Sequence, residues 1–443
     1  MEDSSRSQPI STQIQEIAEQ AIDYPEMVFT TLAHRIDVEW LREAYRQTNK
    51  SSAAGIDGIR AAEYAAKLGE NLQDLHERLK RGQYKAPPVE RVWLDKEDGR
   101  KRPIGKPTFE DKIVQRAVVM LLEPIYEQEF YDFSHGFRTG HSPHQALHDL
   151  REKCRELNIN WIIDADVSRF FDELRHDLLR GFIKRRVNDG GILRLIGKWL
   201  NAGVMEAGNL THAEKGSPQG GVVSPSLANV FLHYVLDEWY EQEVKPRLKG
   251  RSFLLRFADD YVIGCELESD AHRIMEVLPK RFGRYGLTIH PQKTKLVKFG
   301  KPPKDEPPGP KNGPPDFKNG TFDFLGFTHY WAKSRRGYWV IKRRTAQKRL
   351  RRSIKALWQW CKENRHRPFK EQYRMLCLKL RGHYQYYGIR SNYHQLEAVY
   401  QQVMKGWWYW LNHRNRRRDL EWEKFKRILT IFPLPRPRII HAI

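Results

Sequence analysis

At 443 residues the chain can bury two or three domain cores without cross-links. Its four cysteines, Cys154, Cys265, Cys361 and Cys377, form neither a C-x-x-C pair nor a zinc-finger spacing with histidine, and they read as reduced packing residues. There is no leader-like start and no run of about 18 apolar residues, so export and a membrane span are not expected and the cytoplasm is.

The formal charge of +22 is unevenly spread. Residues 1–330 hold 48 Lys and Arg against 49 Asp and Glu, whereas residues 331–443 hold 29 against 6. A neutral body with a basic final quarter suggests a dock for a polyanion. That quarter also carries 8 of the 13 tryptophans. Interleaved bases and aromatics suit phosphate contact with base stacking better than a membrane surface. A solvated helix face is the plainer alternative.

In chain order, residues 10–50 and 60–82 read as helices separated by the turn SSAAGIDGIR. The segment VERVWLDKEDGRKRPIGKPTFEDKIVQRAV predicts a strand, a D-G turn, a second strand and a helix from about Phe109. WIIDADV predicts a buried strand, and FFDELRHDLLRGFIKRR has helical spacing. SPQGGVVSPSLANVFLH opens as a loop and becomes a helix. FLLRF and YVIGC flank Ala258-Asp259-Asp260 as a hairpin with an acidic turn. A helix near 270–285 and a strand in KTKLVKFG follow. The segment 301–320 holds seven prolines and predicts an exposed loop. FDFLGFTHYW predicts a further strand, and basic helices are expected beyond Lys342.

The adjacent acids raise an electrostatic question. Burying unpaired carboxylates costs several kcal/mol each. An exposed turn, basic partners or a divalent metal would each resolve it. Asp166, at the end of the strand WIIDADV, favours the metal. Mg²⁺ takes oxygen ligands, a few of them carboxylates, together with substrate phosphates, and the chemistry implied is two-metal phosphoryl transfer. No P-loop, H-E-x-x-H or nucleophile-elbow motif competes with this site. The histidines of GHSPHQALH have no carboxylate at ligand spacing and read as structural or surface groups.

Eight blocks occur in order: AAGIDGI, RVWLDKEDGRKRPIGKPTFEDKIVQRAV, SHGFRTGHSPHQAL, DADVSRFFD, SPQGGVVSPSLANVFLH, RFADDYVIG, HPQKTKLVKFG and FDFLGF. Together they resemble the reverse transcriptases of the group II intron type, the maturases, over about residues 50–330. The resemblance implies an α+β fold: a right-hand polymerase whose fingers and palm, with an antiparallel palm sheet, precede a helical thumb and maturase domain. The expected divisions are an N-terminal helical extension at 1–60, fingers and palm at 61–330 and a basic RNA-binding region at 331–443.

By the same resemblance Asp166, Asp259 and Asp260 are the catalytic metal ligands, for two Mg²⁺ ions with Mn²⁺ as a substitute. Asp164 lies on the same strand face one pleat deeper and is the lesser candidate, while Asp172 is expected to cap or orient the next helix. Lys96 and Arg102 would hold the triphosphate, with Lys101 and Lys106 as rivals. Phe171 matches a steric gate against ribonucleotides, with a core aromatic as the alternative. Gln219 and Gly220 would meet the incoming nucleotide, and Lys293, or Lys295, would protonate the leaving pyrophosphate. Arg335, Arg336, Lys342, Arg343, Arg344, Lys348 and Arg349 are the expected RNA contacts.

Two departures stand out. The family usually has Tyr where this chain has Phe257, which removes one hydroxyl near the primer end. The Cys pairs and His-Asn-His residues of an endonuclease are absent, so second-strand cleavage is not expected. The expected activity is RNA-directed DNA polymerisation, with maturase binding of a parent group II intron RNA. The partners would be RNA template and primer, dNTPs and target DNA. A domesticated enzyme of phage defence or CRISPR adaptation and a splicing-only RNA-binding maturase are the alternatives. The oligomeric state is left open.

Overall fold

A computed structural model describes residues 9–95, 101–206, 209–211, 220–304, 320–414 and 420–443, without the side chains of Asp95, Arg102, Glu206 and residues 209–211. Helices α1 (Ile10–Asp23), α2 (Val38–Gln47), α3 (Ala61–Ala65) and α4 (Leu68–Lys80) come first. The Asp37 carboxylate starts α2 by accepting from the Trp40 amide at 2.7 Å. Strands β1 (Val89–Asp95) and β2 (Lys101–Lys106) form the expected hairpin, and α5 (Phe109–Tyr126) begins where expected, with Thr108 as its N-cap. After α6 (Pro143–Glu156) come β3 (Trp161–Ala165), β4 (Val167–Ser168), α7 (Phe170–Glu173), α8 (His176–Lys184) and α9 (Gly190–Asn201). The short strands β5 (Val204–Glu206) and β6 (Asn209–Thr211) precede α10 (Ser224–Leu232).

Two π-helical turns, His233–Asp237 and Tyr240–Val244, extend α10. They lead to β7 (Ser252–Phe257), β8 (Asp260–Cys265), α11 (Glu268–Arg284), β9 (Thr288–Ile289) and β10 (Lys295–Lys298). Strands β11 (Phe322–Phe324), β12 (Phe327–Lys333) and β13 (Trp339–Thr345) are followed by α12 (Gln347–Glu363), α13 (Phe369–Tyr387), α14 (Tyr393–Asn412) and α15 (Trp422–Ile431). The boundary expected at residue 330 falls inside β12. The segment beyond Lys342 stays extended to Thr345, because its alternation continues the strand.

The central sheet runs β10-β3-β8-β7, antiparallel throughout. A second sheet runs β2-β1-β5-β6, and β11-β12-β13 form a third. Strand alternation sorts the central sheet into two faces. Ile163, Ala165, Leu254, Tyr261 and Ile263 enter the main core with α5, α10 and α11. Ile162, Phe253, Leu255 and Val262 face Phe322, Phe324, Phe327 and Trp331 of the third sheet. A third core, around Leu376, Leu380, Val399 and Trp407, holds the C-terminal helices together. All four cysteines are buried and unbridged. No helix among the described residues is long and apolar enough to cross a membrane.

Candidate active site

The register of the central sheet assembles the acids. Asp164 lies opposite Val262 and Ala165 opposite Tyr261, so one further step sets Asp166 beside Asp260. Asp164, Asp166 and Asp260 have the parity of Ile162 and Val262, and therefore share the face turned toward the third sheet. The hairpin closes with Phe257 opposite Asp260, leaving Ala258 and Asp259 as the turn. Ala258 has φ +58, in the left-handed region that non-glycine residues avoid.

Asp166 is held on both sides. Its carbonyl accepts from the His290 amide at 2.7 Å, and its own amide donates to Thr294 Oγ1 at 3.4 Å. Its carboxylate receives Lys293 Nζ at 2.6 Å, with both groups about half exposed. Lys295 lies on β10 opposite Asp164. The two rival lysines thus each lie beside a different carboxylate: Lys293 pairs with Asp166, and Lys295 stands opposite Asp164.

Asp260 keeps one side exposed but is otherwise surrounded by protein atoms. That burial, followed by the charges of Asp164, Asp259 and Asp166, pushes its pKa up to about 8, against a lowering effect from Arg349. Asp164 is raised to about 7 by burial and then Asp323, with Lys295 opposing and Asp166 adding. Asp164 is therefore a full member of the acidic group, a larger part than the sequence suggested.

Among the described residues no three His, Cys, Asp or Glu side chains converge closely enough to hold a metal ion. In this arrangement Asp166 is drawn toward Lys293 instead. The donor chemistry nevertheless fits a hard divalent cation, since the groups are carboxylates and their mutual repulsion is what such a cation would relieve.

The other expected residues fall out differently. Gly220, at φ +118, lies against β2, where a Cβ would come 2.3 Å from the Gly105 carbonyl oxygen, so only glycine fits. Phe171 is half-buried against the main core, with its ring edge-on to Phe170 at 5.2 Å. Asp172 is exposed inside α7, and α8 takes Arg175 as its N-cap, so the expected capping role is not met. Lys106 pairs with Glu90 at 2.8 Å. Lys96, Gln219 and the Arg102 side chain lie outside the described residues.

Of the expected RNA contacts, Arg335, Arg336 and Lys348 are exposed, Lys342 is half-buried, and Arg344 lies over the Tyr330 ring at 5.4 Å. Arg343 is a correction. It is only 2% exposed and donates to the Leu147 carbonyl at 2.9 Å, because alternation along β13 turns Trp339, Ile341, Arg343 and Thr345 inward. Arg349 is exposed, and its positive charge opposes the rise in the Asp260 pKa.

Of the histidines of GHSPHQALH, His144 donates through Nε2 to the Tyr386 carbonyl at 2.8 Å and stacks on His441 at 3.6 Å, His141 meets His135 at 3.1 Å, and His148 is exposed.

A family model described as "Reverse transcriptase (RNA-dependent DNA polymerase)" matches residues 94–329, more than half of the chain. The chain is 37% identical over 294 residues to protein YkfC of Escherichia coli K12, covering 58% of this chain and 76% of YkfC. It is 35% identical over 306 residues to the group II intron-encoded protein LtrA of Lactococcus lactis, covering 66% of this chain and 50% of LtrA. It also resembles nuclear intron maturase 1 of Arabidopsis thaliana, at 29% identity over 126 residues, covering 26% of this chain and 17% of that protein. The chain belongs to the reverse transcriptase family. Within that family it is similar to group II intron-encoded proteins. It spans half the length of LtrA.

Proposed function

We propose that this protein copies an RNA template into DNA from a primer and binds a group II intron RNA to assist its splicing and mobility. The observation that carries the polymerase reading is the ladder register that sets Asp166 beside the Asp259–Asp260 turn. In this reading the central sheet is a palm, the β1–β2 sheet belongs to the fingers, and α12 to α15 form the thumb and maturase region.

Two Mg²⁺ or Mn²⁺ ions on Asp166, Asp259 and Asp260 would activate the primer 3′-hydroxyl and neutralise the triphosphate charge. Lys293, which lies 2.6 Å from Asp166, would give a proton to the departing pyrophosphate. Phe171 presents a rigid ring that would crowd a ribose 2′-hydroxyl. Lys96, Arg102, Gln219 and Gly220 would line the nucleotide's path, and the bare backbone of Gly220 permits close approach. A cytoplasmic location and target DNA as a further substrate accompany this reading.

The exposed bases Arg335, Arg336 and Lys348 are the favoured RNA contacts. Replacing all three with alanine should weaken intron RNA binding and reduce its salt slope by about one per cation removed. Unchanged affinity and salt slope would take these residues out of the interface. A wild-type chain that extends primers but neither binds nor helps splice intron RNA would favour a domesticated enzyme.

A further inference from the structure

The guanidinium of Arg256 is fully buried directly behind the acidic turn. Its Nε donates to Asp237 Oδ1 at 2.8 Å, and its Nη2 donates to the other oxygen of the same carboxylate, which is also fully buried. Nη1 is shared between Asn229 Oδ1 at 2.9 Å and the Ala258 carbonyl at 3.0 Å. Ala258 is the left-handed residue that precedes the two acids.

The same cluster reaches a third segment. Asn229 donates through Nδ2 to the Gly136 carbonyl at 2.6 Å. Gly136 is packed so closely on the turn that a Cβ there would lie 2.2 Å from the Ala258 nitrogen. The Arg256 main chain is also bracketed: its amide donates to Phe133 at 2.9 Å, and the His135 amide donates to its carbonyl at 2.8 Å. The Arg256 guanidinium therefore joins the helix carrying Asn229, the π-helical turn ending at Asp237 and the acidic turn, while Asn229 and the Arg256 main chain add the loop 133–136.

The chemistry suits a clamp. A planar fork that satisfies a carboxylate bidentately leaves its remaining donors fixed in direction. A lysine would keep the charge but lose that geometry. Wide π-helical turns are uncommon, and here one ends on Asp237, the partner of the fork.

We propose that Arg256, with Asp237 and Asn229, is a positioning residue of the polymerase. It holds Ala258 in its left-handed conformation and so fixes how Asp259 and Asp260 face Asp166. This rests on the reverse transcriptase reading of the site.

The test uses the 443-residue chain and three variants of it: Arg256→Lys, the volume-matched pair Arg256→Met with Asp237→Leu, and Asn229→Ala, which keeps the ion pair. The double variant removes both charges together, so no orphan ion is left inside. Single-nucleotide extension on an RNA template is measured against dNTP and Mg²⁺ concentration, with thermal unfolding alongside.

The clamp predicts that the Lys variant and the folded double variant lose at least tenfold in kcat. The KM for dNTP should stay within about twofold, and the Mg²⁺ needed for half-activation should rise. Asn229→Ala should move the same two quantities by a smaller factor. If the double variant does not fold, Asn229→Ala decides by those readouts. Folded variants with wild-type kcat and Mg²⁺ dependence overturn the clamp and leave Arg256 a packing residue. A wild-type protein that extends no primer overturns the polymerase reading, and the clamp with it.

Discussion

Replacing Gly136 with alanine would set a new carbon 2.2 Å from the Ala258 nitrogen and 2.9 Å from both the Ala258 Cα and the Phe257 carbonyl carbon. Ordinary carbon contacts lie at about 3.5–4.0 Å, so relief takes a shift of about 1 Å. The loop cannot yield easily, since the Gly136 carbonyl is held by Asn229. The turn is held in turn by Arg256 through the Ala258 carbonyl. Overpacking of this kind costs about 1–3 kcal/mol of stability. A 1 Å displacement of catalytic groups costs about 100-fold in rate, or about 2.7 kcal/mol in the barrier. Gly136→Ala is therefore expected to lose about two orders of magnitude in kcat while remaining folded. The assay is single-turnover nucleotide addition at saturating dNTP, compared with denaturant unfolding. Gly181→Ala in α8 is the control, because nothing lies within 4 Å of its added carbon. That change should leave the rate alone and stabilise by about 0.5–1 kcal/mol. A Gly136→Ala protein with wild-type rate and stability would refute the close approach of this loop to the acidic turn.

Three further outcomes are expected. Burial, followed by nearby positive charge, holds His233 down to about 3, and burial with His141 and Arg138 holds His135 down to about 4, while buried His329 lies well below its usual range. Because these folded-state values sit below the unfolded value of about 6.5, stability is full above that pH and is lost as the pH falls. His233 and His135 should each cost about 2 kcal/mol by pH 5, and a denaturation midpoint that is flat from pH 7 to 5 would contradict this. Lys293→Met should lower the Mg²⁺ needed for half-activation, by releasing Asp166, and reduce kcat by about 100-fold; a lower rate with unchanged metal demand would separate Lys293 from Asp166. Phe171→Ala should raise ribonucleotide incorporation relative to dNTP, whereas an unchanged ratio would return that ring to the core.

The parts of the fold that were legible in the sequence are those governed by local periodicity. Short apolar and β-branched runs in WIIDADV, FLLRF and YVIGC located the central strands, and strand alternation put Asp164 and Asp166 on one face, whereas the place of Asp260 on that face needed the sheet register. The start of α5 was readable from Thr108 and the apolar spacing after Phe109. Arg343 was also within reach, because Trp339, Ile341, Arg343 and Thr345 follow a period of two, but the basic composition around it masked the strand. The clamp was not legible. Asp237 and Arg256 are 19 residues apart on different elements, and neither residue follows from a helix or strand period. A charge inside the apolar run NVFLHYVLDEWY was the available signal for Asp237. The short strands β5 and β6 were missed for a similar reason: three-residue strands carry too little pattern, and the pairing of β5 to β1 is long-range.

The acidic group on the central sheet is best tested by primer extension on an RNA template with Mg²⁺, comparing the wild-type chain with Asp259→Ala. The wild type should add dNTPs, and Asp259→Ala should lose essentially all extension while unfolding at a similar temperature. Equal incorporation by the two proteins would contradict the assignment of Asp166, Asp259 and Asp260 as the catalytic centre.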